Sequence, residues 1–378
     1  MRQYFTNGRI FTGDIIVEGY GVEVEDGLIL SLSPSELPPD DVEVVDLGGD
    51  LLAPGFIDVQ VNGGGGVLFN DTPDLSTIKT IIKAHRRFGT TSLLPTFISD
   101  DWDGMVRAGK AIQQGMVQGL SGLRGVHFEG PYLSQDRKGI HQAEHIRSVD
   151  NSAFALLTSE GLGTVVTTVA PESVPSEYIR SLAEAGVRVC AGHTAATYEQ
   201  ARSGLDAGIV GFTHLFNAMS PLTSREPGVV GAALDDPDSW VGIIADGHHI
   251  HFASLRVAIA AKKQGKMMLV TDAMPSVGAE DKNFTLQGQA IIAEGGRCSS
   301  EQGTLAGSDL DMAGAVRNTV EHLRLPFEEA LRMASLYPAA FLGLDDRLGR
   351  IAPGYEADFV LLNESLEVQK TWIGGDSA

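Results

Sequence analysis

The sequence predicts an α/β protein: a (β/α)8 TIM-like barrel with a small β-sandwich domain built from both termini. Three observations point there. Eight near-continuous apolar runs alternate with helix-length segments through the middle of the chain, as parallel strands buried on both faces do. Polar or ionisable residues end nearly every one of those runs. Both ends of the 378-residue chain read instead as short strands broken by turns.

Taken in order, the N-terminal stretches are "GRIFTG", "DIIVEG", "GVEVEDGLILSLS" and "VEVVDLGG", and the C-terminal one is "GRIAPGYEADFVLLNESLEVQKTWIGG". Strands need partners, so the two ends are expected to pair as one domain, residues 1–53 and 344–378, leaving 54–343 for the barrel. The eight runs are 56–61, 92–97, 123–130, 164–172, 187–193, 211–217, 240–247 and 267–273. Helical segments are expected at 74–88, 101–118, 175–186, 197–208 and 252–264. No fixed-period repeat accompanies them, which excludes a solenoid. The competing architecture is an open doubly wound sheet, which would gather only residues near its switch point. Here Gln60 with Asn62, Glu129, Glu172, His193, His214 with Asn217, Asp246 and Asp272 all sit at or just past a run's C-terminal end. A closed barrel collects all of them on one face.

Apolar content of 43% and charged content of 20% are ordinary for a globular protein. A formal net charge of −21 argues against nucleic acid or an anionic membrane as partner, since both want a basic face. Cys190 and Cys298 are the only cysteines, so no disulfide framework is readable and a reducing, cytoplasmic setting fits. The opening "MRQYFTNGRIFTGDIIVEG" has no uninterrupted apolar core of a signal peptide. No stretch approaches the ~18 apolar residues of a membrane span.

"AGHTAAT" and "FTHLFNAM" place His193 and His214 at the ends of consecutive strands. Neighbouring parallel strands lie ~4.8 Å apart, so two such imidazoles can converge on one ion. "HFEGPYL" adds Glu129. Glu, His and His plus an open position is a catalytic zinc-type set. A lone histidine is more often a hydrogen-bonded core or loop residue; three candidate ligands at strand ends favour the metal. His127, two residues before Glu129, reads as interior packing or as support for the ligands. "LVTDAMPS" ends the eighth run in Asp272, a carboxylate placed to take a proton and later deliver it. The plainer reading of Asp272 is a helix cap or turn residue.

The sequence resembles the N-acetylglucosamine-6-phosphate deacetylases of the amidohydrolase superfamily, almost end to end. "PGFIDVQVNG", "HFEGPYL", "KGIH", "AGHT", "THLFNAM", "REPGVVGA", "IIADGHHI", "LVTDAM", "GTLAGSDLDM" and "ASLYPAAFLG" bear the resemblance. It implies that Glu129, His193 and His214 bind one divalent metal ion per subunit, with Zn2+ favoured and Fe2+ or Co2+ able to fill the same set. It implies Asp272 as general base and then acid, and His141 of "KGIH" beside the acetyl carbonyl. For the sugar's phosphate it implies Arg225, His249 and the backbone around Asn217 and Ala218, groups whose chemistry suits a dianion. Arg225 serves its own site or a partner's in the homodimer that the family suggests. "GTLAGSDLDM" is expected to form a loop over the acetyl side, followed by a helix capped near Ser308. Two rivals stand beside this: an amidohydrolase acting on another amide, dihydroorotase-like or an N-acyl-amino-acid deacylase, and a non-catalytic barrel used for assembly.

The stretch "PGFIDVQVNGGGG" has Gln60 and Asn62 where binuclear relatives carry His-x-His, and the fourth run has no bridging lysine. Neutral amides are weak ligands beside imidazole and carboxylate. One ion, not two, is the expectation.

Overall fold

The computed structural model describes residues 2–35 and 41–377. The eight apolar runs form one parallel sheet in sequence order: Phe56–Val61, Thr90–Ile98, Gly125–Glu129, Thr164–Val169, Arg188–Ala191, Gly211–Phe212, Trp240–Ile243 and Met267–Leu269. Just past the eighth strand the sheet meets the first. Val61 and Ala273 bridge in parallel, and the Asp272 N–H donates to the Gln60 carbonyl at 3.0 Å. The later strands are shorter than the apolar runs that encode them, because their last residues turn out of the ladder into the mouth.

Helices Leu75–Arg86, Trp102–Val117, Ser176–Glu184, Tyr198–Ala207 and Phe252–Ala261 occupy the expected segments. Local chemistry sets their ends. Asp74 and Asp101 accept from the backbone N–H groups of Thr77 and Gly104, and Thr197 with Gln200 forms a capping box. Gly208 closes the Tyr198–Ala207 helix in a left-handed conformation that a side chain would disfavour.

The termini pair as expected. A six-stranded sheet joins Arg9–Phe11, Ile16–Glu18 and Leu51–Pro54 to Phe359–Leu362, Val368–Ile373 and Asp376–Ser377, with Leu51–Pro54 pairing antiparallel to Phe359–Leu362 at the seam. A four-stranded sheet of Arg2–Thr6, Tyr20–Glu25, Leu28–Pro34 and Glu43–Asp46 packs on it. Phe5 lies between them, edge-on to Phe359 and Trp372 with ring centroids at 5.2 and 5.3 Å. Arg124 of the barrel holds Glu356 and Asp358 at 2.6 and 3.0 Å, tying the sandwich to the barrel.

A four-stranded insertion between the eighth barrel strand and the last helices was not anticipated. Phe284–Leu286, Gln289–Glu294, Arg297–Ser300 and Leu305–Ser308 make an antiparallel meander over the barrel mouth. Its last strand lies against the catalytic end of the eighth barrel strand: the Ser308 N–H donates to the Asp272 carbonyl at 2.9 Å. Ser308 therefore ends a strand, and the following helix, Met312–Glu321, is capped by Asp311. The "GTLAGSDLDM" segment does border the cavity, through Thr304, Leu305 and Gly307.

Candidate active site

Glu129 is the last residue of the third barrel strand, and His193 and His214 lie two residues past the fifth and sixth. Their side chains converge. Glu129 Oε1 is 3.1 Å from His193 Nε2 and 2.8 Å from His214 Nε2, and the two Nε2 atoms are 3.1 Å apart. All three residues are buried. The His193 Nδ1–H donates to the Arg137 carbonyl at 3.0 Å, so its Nε2 lone pair faces the other two groups. His214 Nδ1 is buried with no partner. A carboxylate with two imidazoles this close is a donor set that divalent transition metals accept. Burial pushes the Glu129 carboxyl up, but the bonds and charge of His193 and His214 outweigh it and hold it well below the usual range.

The backbone at these positions is strained. His193, His214 and Asp272 have φ of 46°, 33° and 53°, and Phe216 and Ala218 have 74° and 49°. Each left-handed non-glycine residue costs about 1–3 kcal/mol, a cost that functional loops tolerate when neighbours enforce the conformation. Gly139 of "KGIH", itself at φ 57°, leaves room for the His193 ring: a Cβ there would lie 3.2 Å from it.

Across the mouth, Asp272 is held by amides. Asn62 Nδ2 donates to its Oδ1 at 2.6 Å, and Gln60 Nε2 donates to the same oxygen at 3.1 Å and to Glu129 Oε1 at 3.3 Å. Gln60 and Asn62 thus present N–H groups, not lone pairs, toward the carboxylates. Burial and then the nearby Glu129 charge push the Asp272 carboxyl up to about 6. That suits a group asked to hold and release a proton near neutral pH.

His141 is buried, lines the cavity, and meets the His193 ring edge-on at 4.5 Å. Burial, then the charge of His193, bring it down to about 3, so it is a neutral imidazole at physiological pH. His127 does not reach the ligand cluster: Val59 O lies 3.1 Å from its Nδ1 and Thr168 Oγ1 2.8 Å from its Nε2, a packing role beneath the site.

Asn217, Ala218 and His249 border the same cavity of about 400 Å3. His249 Nδ1 is 2.6 Å from Asp246 Oδ2, whose other oxygen accepts the backbone N–H groups of His248 and His249. The Asp246 carboxylate thus orients the ring. The Asn217 side chain is spent on the turn, donating to the His214 and Leu215 carbonyls at 3.2 Å each. Arg225 is exposed and does not border this cavity. Arg137 does, and the sequence reading passed over it. Its only signal was its place two residues before Gly139 in a basic loop.

The amidohydrolase family model matches residues 51–378, and the model for the NagA composite domain matches residues 4–52. The chain belongs to the amidohydrolase family. An N-acetylgalactosamine-6-phosphate deacetylase of Shewanella sp. strain ANA-3 is 41% identical over 97% of this chain and 94% of its own length. An N-acetylglucosamine-6-phosphate deacetylase of Haemophilus influenzae is 36% identical over 99% of both chains. Among solved structures, the N-acetylglucosamine-6-phosphate deacetylase of Pasteurella multocida superimposes with a TM-score of 0.96 at 35% identity, covering 100% of both chains. Membership makes the protein a metal-dependent amidohydrolase. None of its described helices is long and apolar enough to cross a membrane.

Proposed function

We propose that this amidohydrolase removes the N-acetyl group of N-acetyl-D-glucosamine 6-phosphate, giving D-glucosamine 6-phosphate and acetate in amino-sugar catabolism or recycling. The observation that supports it most is the shared cavity: the Glu129–His193–His214 cluster, Asp272 and His141 border the same space as His249, Asn217 and Ala218. Chemistry and phosphate recognition can therefore act on one small molecule.

Glu129, His193 and His214 would hold a single divalent ion, for which Zn2+ is our assignment; Fe2+ and Co2+ suit the same donors. When bound, such an ion supplies Lewis acidity toward water and toward a carbonyl oxygen. Asp272 takes a proton from the attacking water as the C–O bond forms. Neutral His141 donates a hydrogen bond to the acetyl oxygen as negative charge develops there. Asp272 then passes its proton to the nitrogen as the C–N bond breaks, because an unprotonated amine leaves poorly. Gln60 and Asn62 keep the Asp272 carboxylate aimed into the cavity.

His249 and the backbone at Asn217 and Ala218 are assigned to the phosphate. Ala218, left-handed at φ 49°, follows a turn that the Asn217 N–H closes onto the His214 carbonyl at 3.0 Å. Arg225 is assigned to the phosphate bound by the neighbouring subunit of a homodimer, consistent with its exposure away from its own cavity. Arg225→Ala should raise KM for the phosphorylated sugar about tenfold or more, the worth of a charge-assisted contact, with little change in kcat. An unchanged KM would remove it from the site.

We further assign residues 1–53 and 344–378 to one composite β domain and 54–343 to the catalytic barrel, as the shared six-stranded sheet and its common apolar core support. Two buried free cysteines fit a cytoplasmic enzyme.

The test is turnover of N-acetylglucosamine with and without its 6-phosphate, and of the galactosamine epimer. The proposal expects strong preference for the phosphorylated glucosamine. Indifference to phosphate would point to another amide substrate, and a higher kcat/KM on the galacto epimer would reassign the sugar.

A further inference from the structure

Glu172 lies three residues past the fourth barrel strand, where the sequence places a carboxylate at a strand end with no part in the chemistry above. It does not border the active-site cavity. Its carboxylate faces the loop that begins at His193. Oε2 accepts the Thr194 hydroxyl at 2.5 Å, and Oε1 accepts the Ala195 N–H at 2.6 Å. Both bonded groups follow immediately on a histidine whose φ is 46°.

The held segment is also the hinge between two loops of the site. The Thr194 N–H donates to the Ala218 carbonyl at 3.0 Å, and the Ser220 N–H donates to the Thr194 carbonyl at 3.2 Å. Ser220 Oγ adds a bond to the Ala196 carbonyl at 2.6 Å. The loop bearing His193 and the loop bearing His214, Asn217 and Ala218 therefore move as one piece, and Glu172 fastens that piece to the fourth strand. An ordinary loop would relax His193 out of the left-handed region. Here the two bonds just after it fix the turn that sends its ring toward Glu129 and His214.

We propose that Glu172 is a positioning residue for the metal site: it pins Thr194 and Ala195 so that His193 stays in its ligating conformation. This rests on the Glu129–His193–His214 assignment. It is independent of the sugar, because the readout is ion binding rather than turnover.

The experiment measures Zn2+ affinity of the full chain by competition with a chromophoric chelator, and the visible spectrum of the Co2+-loaded protein. Supporting hydrogen bonds behind metal ligands are commonly worth 10–100-fold in affinity, and Glu172→Ala should weaken Zn2+ by about that factor. Glu172→Gln, which keeps an oxygen for the Ala195 N–H, should lose less, about three- to tenfold, with a Co2+ spectrum between those of the parent and Glu172→Ala. A residue that merely braced the fold would lower the melting temperature of the metal-free protein and leave affinity and spectrum alone. Parent-like affinity in Glu172→Ala overturns the proposal. If that variant does not fold, parent-like affinity and spectrum in Glu172→Gln overturn it instead. Loss of ion binding in the parent itself would break the ligand assignment, a different failure.

Discussion

Two sides of the barrel mouth do opposite things with the same strand-end geometry. On the side of strands five and six, His193 and His214 aim their Nε2 atoms inward toward Glu129. On the side of strands one and eight, Gln60 and Asn62 turn N–H groups inward toward Asp272 and Glu129. The first side offers donors that could hold a cation. The second offers N–H groups, which hold the Asp272 carboxylate instead. Hydrogen-bond polarity, more than residue position, decides where an ion can sit.

The largest expected effect comes from removing the acceptor that both amides serve. Asp272→Asn should keep its ion and lose on the order of 10²–10⁴ in turnover. Near-parent turnover would take Asp272 out of the mechanism, and loss of the ion would mean that the two sides are not separate. Next is the strongest bond on the donor side. Asn62→Ala removes a hydrogen bond to a buried charged group, worth about 1.5–3 kcal/mol, and should lower kcat by roughly ten- to a hundredfold with KM for substrate nearly unchanged. An equal rise in KM would show Asn62 binding the sugar rather than aiming Asp272.

The smallest effect sits deeper on the same strand. Asp58, Gln60 and Asn62 alternate along strand one and so share its inward face. Asp58 is fully buried, accepts the Thr271 hydroxyl and N–H, and is pushed up to about 7 by burial. Its folded value lies above the unfolded one, so the native state binds the extra proton. The stability this gives is full below about pH 4, is lost at roughly 1.4 kcal/mol per pH unit between there and about pH 7, and changes no further above it. Denaturation midpoints of the parent should therefore fall relative to those of Asp58→Asn between about pH 4 and 7, and run parallel to them above that. Parallel curves throughout would show that Asp58 stays ionised.

Much of this was legible in the residues. Near-continuous apolar runs alternating with helical segments read as parallel strands buried on both faces, and the polar residues at their ends favour a closed barrel over an open sheet. Glu129, His193, His214 and Asp272 were legible because a barrel brings strand ends together. What stayed hidden depends on distances that spacing does not encode. The meander at 284–308 is made of three- to six-residue strands with glycine turns, too short for a periodic signal. Asp246 as the partner of His249, and Glu172 as the partner of the His193 loop, are contacts between a strand end and a neighbouring turn. The inward direction of the Gln60 and Asn62 N–H groups follows from the carboxylates they meet, and those lie 69 to 212 residues away in the chain.

The measurement that bears most directly on a one-ion site is a metal titration of the metal-free protein, following bound ion per chain by elemental analysis and deacetylation of the phosphorylated sugar in parallel. Activity should rise linearly to one equivalent and stay flat beyond it. Activity that keeps climbing to two equivalents, with the second ion lost in a Gln60→Ala or Asn62→Ala variant, would contradict the account.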